Sequence, residues 1–248
     1  MSVELLFSLP LGRDPFSMGS HLLGALLSLA ATVVAVRRAC RNGRSGLRAG
    51  GYGLSMTIAF GASALFHYMP STSALADLYQ KIDHAAIFLM IAGTGTAMYG
   101  AFDMKRARRL TGLLWIAAAL GIALKLTLWP MPSWLSAAIY LTLGWLGLGG
   151  LAALIRSRSV ERPPLYLFVL GAIAYTAGAL VFAADAPALW PGAIDAHGTF
   201  HLLVLAGAAF HFGFIYRYCL QADASTPAPE PARATRQERP AQPDTSTG

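Results

Sequence analysis

Residues 164–184 read PLYLFVLGAIAYTAGALVFAA, a run without one charged side chain. At ~1.5 Å per residue, a helix of that length crosses the ~30 Å hydrocarbon core of a bilayer. A helix apolar on every face belongs in a large protein core or in a membrane. Strand is excluded in the second case, because an open strand in lipid leaves its backbone groups unpaired. The rest of the chain decides between core and membrane.

Working outward, six further apolar segments lie near residues 19–37, 50–69, 82–102, 110–128, 133–154 and 197–219. The chain has 248 residues, 55% hydrophobic and 12% charged, with mean hydropathy +0.51. Average soluble domains are about a quarter charged. Here the charge is clumped between long uncharged runs, as it is in membrane spans joined by short loops. The expected architecture is all-α, a polytopic seven-transmembrane-helix bundle. Gly144, Gly147, Gly171 and Gly178 are expected to let neighbouring helices approach closely. Residues 1–18 form a short N-terminal segment without the basic start and apolar run of a signal peptide. Residues 19–220 form the membrane domain. Residues 221–248, rich in Pro, Ala, Thr and charge, read as a disordered tail. Cys40 and Cys219, at the ends of spans one and seven, imply no disulfide framework.

Basic residues set the orientation. With seven spans, the loops after spans one, three and five share a side with the C-terminus. That side holds Arg37, Arg38, Arg41, Arg44, Arg48, Lys105, Arg106, Arg108, Arg109, Arg156, Arg158, Arg162, Arg217, Arg233, Arg236 and Arg239. The other face has Arg13, Lys81 and Lys125. The positive-inside rule then expects a cytoplasmic tail and an outside N-terminus, in the inner or plasma membrane of the cell. The net charge of +7 is thus a topology signal that can also touch anionic headgroups, and it does not argue for nucleic acid as a partner.

Polar residues inside spans carry the functional information, because placing them there is costly. Chain parity puts His21, His67, His84, His197 and His201 near the N-terminal face, with Asp83 opening span three and Asp195 just before span seven. A lone histidine at a span end is more often an interfacial or helix-pairing residue, and an isolated HxxxH arises by chance. Three histidines and an aspartate converging at one depth weigh the other way. His197 and His201, four apart, share a helix face and can grip one ion, with His67 as a third ligand. Three histidines with an open position are the usual arrangement of a catalytic zinc. Ser63, one turn before His67, can hydrogen-bond a ligand or substrate. Asp83 can orient a water or take its proton. His84 is either a further ligand or faces a neighbouring helix. His211, ten residues beyond His201 and about 15 Å along a helix, cannot share their ion and reads as an interhelical hydrogen bond. Trp129, Trp134 and Trp190 at the N-terminal face, with Tyr216 and Tyr218 at the other, read as aromatic belts.

At these residues a resemblance becomes specific. Ser63-Ala-Leu-Phe-His67 resembles the SxxxH motif of the hemolysin III proteins, bacterial relatives of the progestin and adipoQ receptors. Lys81-Ile-Asp83-His84 through Gly93-Thr94 resembles that family's third-span signature. His197-Gly-Thr-Phe-His201-Leu, with Gly207 and His211-Phe212, resembles its seventh. Asp14-Pro-Phe-Ser17-Met-Gly-Ser20-His21-Leu-Leu-Gly24 resembles the N-terminal motif usually written ExxNxxTHxxG. Asp14, Ser17 and Ser20 replace the usual Glu, Asn and Thr. Thr94-Gly95-Thr96-Ala97 stands where Thr-Tyr-Thr-Pro is common. The resemblance covers roughly residues 14–219. It implies seven helices, zinc on His67, His197 and His201, a water associated with Asp83, and Ser63 behind the ligands. The family is similar to alkaline ceramidases in this constellation, which implies metal-dependent hydrolysis of a lipid amide or ester, with a membrane lipid or lipid-like molecule as substrate. In the receptor branch the N-terminus is generally cytoplasmic; the charge count here expects the reverse.

Three functions follow. One is a membrane lipid hydrolase. The second is a lipid-responsive receptor or regulator with structural zinc, favoured if His21 or His84 closes the site. The third is a cytolytic, pore-forming protein, opposed by spans with little charge to line an aqueous path.

Overall fold

The structure is a computed structural model that describes residues 13–102, 104–156 and 165–221. The expected disorder of the tail, and most of the N-terminal segment, lie outside these residues. The described residues form α1 (Pro15–Arg41), α2 (Gly46–Tyr68), α3 (Ala76–Tyr99), α4 (Lys105–Thr127), α5 (Ser133–Arg156), α6 (Leu165–Ala184) and α7 (Ala196–Phe214). A π-helical turn, Ile215–Cys219, continues α7. Each helix packs on the next and α7 returns to α1, while α3 also meets α5 and the π turn. The protein is a polytopic membrane bundle.

Local chemistry explains why several helices outrun their apolar segments. Asp14 accepts the Ser17 amide at 3.0 Å and Pro15 follows it, so α1 starts at Pro15 rather than 19. At its other end Arg38 and Arg41 suit the negative end of the helix dipole, and α1 runs to Arg41 rather than 37. Ser45 caps α2 through the Arg48 amide. Polar residues from Asp77 to Lys81 add turns before the apolar part of α3. Helix α3 continues unbroken through Thr94–Ala97, where the sequence departs from the family pattern.

Six of the seven helices are long and apolar enough to cross a membrane. The seventh, α3, has the length, 24 residues, but carries Asp77, Lys81, Asp83 and His84 in its first half. It packs among α2, α4 and α5 and so crosses with them.

Helix α1 shows the polarity of the bundle. Leu22, Leu26, Leu29 and Val33, spaced as one helix face, are 46–59% exposed, while Ser17, His21 and Ser28 are buried. Apolar groups face out and polar groups in, the reverse of a soluble helix. Lipid tails solvate leucine as well as a core does, so close packing of small residues must hold the helices together. Ala35, Ala39 and Ala49 are buried to 0–1% exposure. A Cβ on Gly53 would stand 2.0 Å from Thr32 Oγ1, and one on Gly93 2.0 Å from Ser55 Oγ. Those two glycines seat α1 on α2 and α2 on α3.

Of the glycines singled out above, Gly171 lies against the His211 ring and Gly178 against Leu203. Gly144 differs from expectation. Nothing lies within 4 Å of its Cβ position, because it faces a cavity rather than a helix. The aromatic belts are also only partly belts. Trp134 and Trp190 are exposed. Trp129 instead meets the His84 ring at 5.6 Å, and Tyr218 packs on Phe102 and Phe214.

Candidate metal centre

Two helix ends position the histidines. His67 lies in the last turn of α2, and His197 and His201 in the first two turns of α7. Asp195 caps α7 by accepting the Gly198 amide at 2.7 Å, which fixes the helix start at Ala196, one residue before His197. Gly198 lets Phe16 of α1 lie against α7 at this level. The Asp14 amide donates to the His67 carbonyl at 3.5 Å, tying the start of α1 to the end of α2.

The three imidazoles meet. His197 Nε2 is 3.2 Å from His67 Nε2 and 3.1 Å from His201 Nε2. One ring nitrogen from each residue lies within 4.8 Å of the others. Ligand atoms about 2.0–2.1 Å from a tetrahedral ion stand about 3.3–3.4 Å apart, so the spacing suits a single cation. Both short contacts fall on His197 Nε2, which carries either one proton or one lone pair, so a single N–H···N bond satisfies only one of them, whereas a cation satisfies all three nitrogens at once. His67 and His201 are buried and His197 is half-buried.

The other expected residues divide. Ser63 and Asp83 are buried at 2% and 8% exposure and interact through the serine hydroxyl. Ser63, Asp83, His197 and His201 line one cavity, which continues to Tyr99. Asp83 and Tyr99 are sixteen residues apart on α3, so it extends about 24 Å along the bundle. Most of its lining, including Ile87, Ile91, Leu141 and Val204, is apolar. His84 does not join the group; its ring sits 5.6 Å from Trp129 and 6.0 Å from Phe182. His21 stacks on His201 with centroids 3.6 Å apart and also stays outside the group. His211 meets the Phe168 carbonyl at 3.3 Å, an interhelical contact between α7 and α6.

Two residues escaped the sequence reading of the site. Asp14 Oδ2 lies 3.7 Å from His67 Nδ1. Burial raises the Asp14 pKa, but the hydrogen bonds from Ser17 and the nearby His67 and His197 outweigh it and hold the carboxyl below its ordinary value. Its available signal was Asp-Pro at a helix start on the same face as the histidines. Lys125 is 1% exposed, donates to Ser136 Oγ at 2.5 Å, and acts electrostatically on Asp83. A lysine inside a span was the signal there.

Fold and site together define a polytopic α-helical membrane protein with a three-histidine group at one end of a long internal cavity. The chain matches the family model described as haemolysin-III related over residues 11–212, and it belongs to that family. It is similar to a protein of Bacillus subtilis (strain 168) named "Hemolysin-3 homolog", at 29% identity over 82% of this chain and 92% of the relative. It is also similar to "Hemolysin-3" of Bacillus cereus, at 28% identity over 81% of this chain and 89% of the relative.

Proposed function

We propose that this protein is a zinc-dependent membrane hydrolase of a lipid amide or ester. The observation that carries this reading is a three-histidine group whose His197 and His201 share one largely apolar cavity with Asp83 and Ser63. The donor set fits zinc, since imidazole suits it and the nitrogen spacing matches tetrahedral bonds. A zinc ion there would supply Lewis acidity, polarising an acyl carbonyl and bringing the pKa of water towards ~7.

The remaining steps belong to the chain's own residues. The apolar lining takes an acyl chain along the bundle and keeps bulk water out. Asp83 is placed to accept a proton from the attacking water and return it to the departing amine or alkoxide. Ser63 and Lys125 hold that carboxylate in place. The net change is addition of one water across the acyl bond, giving a carboxylic acid and an amine or alcohol.

A structural zinc is usually closed by four protein ligands. His21 and His84, the residues that would close this one, stay outside the group, which weighs against the receptor reading. The name of the Bacillus relatives raises cytolysis, but an apolar lining suits a lipid chain better than an aqueous ion path. Under the charge-derived orientation, with the tail cytoplasmic, the site faces the exterior.

The decisive experiment is metal content of the detergent-purified protein beside His67→Ala and His201→Ala. About one zinc per chain, lost in both variants, is expected. A screen of lipid amides and esters then follows, with Asp83→Ala expected to keep the metal and lose turnover. A folded wild type without metal ends the hydrolase reading.

A further inference from the structure

His197 faces two spaces. One is the apolar cavity; the other is a separate recess lined by Ser133, Phe182, Ala183, Asp185 and His197. Ser133 opens α5, Phe182 and Ala183 close α6, and His197 stands in the first turn of α7. All three helix ends lie at the N-terminal face. Ser133 and Asp185 are exposed, so the recess opens to water. No cation lines it. Asp185 has φ of 51°, a left-handed conformation that aspartate tolerates better than most residues. It makes no hydrogen bond or ion pair among the described residues. The carboxylates of Asp14, Asp185 and Asp195 all act on His197, so the field at the recess favours a cation.

From this we infer that the recess is the port through which a hydrated divalent cation reaches the three histidines from the N-terminal face, with Asp185 as its capturing carboxylate. The apolar cavity cannot serve, because a hydrated ion would have to cross an apolar lining from within the membrane. The recess offers a polar mouth at one end and the His197 ring at the other. A carboxylate at the mouth raises the local cation concentration and the rate of capture. Asp185 does not belong to the final ligand set, so its effect is on loading rate and not on stoichiometry. This inference rests on the proposed metal site, and the test separates the two.

The full-length protein in detergent is stripped with a chelator and mixed with cobalt(II), whose visible absorption reports capture by the histidines. Asp185→Asn keeps the size and the left-handed backbone preference but removes the charge. It is expected to slow cobalt association about three- to tenfold at low ionic strength, with the difference shrinking as salt is added. The final absorption should match wild type. Ser133→Trp, which narrows the mouth without changing charge, is expected to slow association at every salt concentration. Wild-type rates in both variants, with full cobalt capture, overturn the port and leave the metal site standing. Failure of the wild type itself to take up cobalt overturns the metal site and the port with it.

Discussion

Asp14 and Lys125 act on the centre from behind, and each makes a distinct prediction. A carboxylate near the outer nitrogen of a ligating histidine orients the ring and raises its basicity. Asp14 Oδ2 stands in that relation to His67 Nδ1. Asp14→Asn keeps the helix cap, since asparagine caps as well as aspartate. It is therefore expected to weaken metal affinity about 10- to 100-fold in a chelator competition, with little change in thermal stability. Equal affinity would reduce Asp14 to a cap. Lys125 and Asp83 are ionisable groups of opposite sign in the bundle interior, and each acts electrostatically on the other. Removing one strands the other, while removing both relieves the stranded charge. Lys125→Met and Asp83→Asn alone are each expected to lower the melting temperature, and the double variant to recover much of the loss. The coupling should be about 1–3 kcal/mol; additive losses would mean the pair does not interact. The convergence of the histidines at one face could be read by parity because helix direction alone sets depth. These two residues could not, because no periodicity states which side chain leans on another.

The helices are held by missing side chains more than by large ones. Gly93 sits on the Ser55 side chain where α2 meets α3, the helices that carry Ser63 and Asp83. Gly93→Ala would press a methyl into Ser55 and is expected to cost about 1–3 kcal/mol, measured as a loss of melting temperature. Ser55→Gly in the same chain should restore most of it by vacating the contact. Failure of that rescue would place the strain in the backbone instead. The sequence located all seven helices, since long apolar runs permit no other backbone in lipid. It was less informative at the ends, where caps and arginine-rich last turns extend helices beyond the apolar run. It also misassigned Gly144. Small residues mark close approach and cavity walls alike, and only the placement of α5 separates the two.

Among the described residues the carboxylates are sorted by face, although Arg13, Lys81 and Lys125 share theirs. Every described carboxylate, Asp14, Asp77, Asp83, Asp185 and Asp195, lies towards the N-terminal face. The described arginines and lysines of the α1–α2 and α3–α4 connections, with Arg156 and Arg217, lie at the other. This sorting acts in two ways. The positive-inside rule expects a basic face to be retained on the cytoplasmic side during insertion, while acidic residues influence insertion little. The acidic face surrounds the three-histidine group and draws cations towards it. Both effects point the metal centre outward, so orientation and metal supply are one question. Impermeant maleimide labelling answers it in a chain with Cys40 and Cys219 replaced by serine. Thr72→Cys, in the exposed α2–α3 connection, is expected to label in intact cells. Arg106→Cys, exposed at the start of α4, is expected to label only after permeabilisation. The opposite pattern would put the centre on the cytoplasmic side. Asp185 would then meet the cytoplasmic metal pool, and the basic face would lie outside against the positive-inside rule.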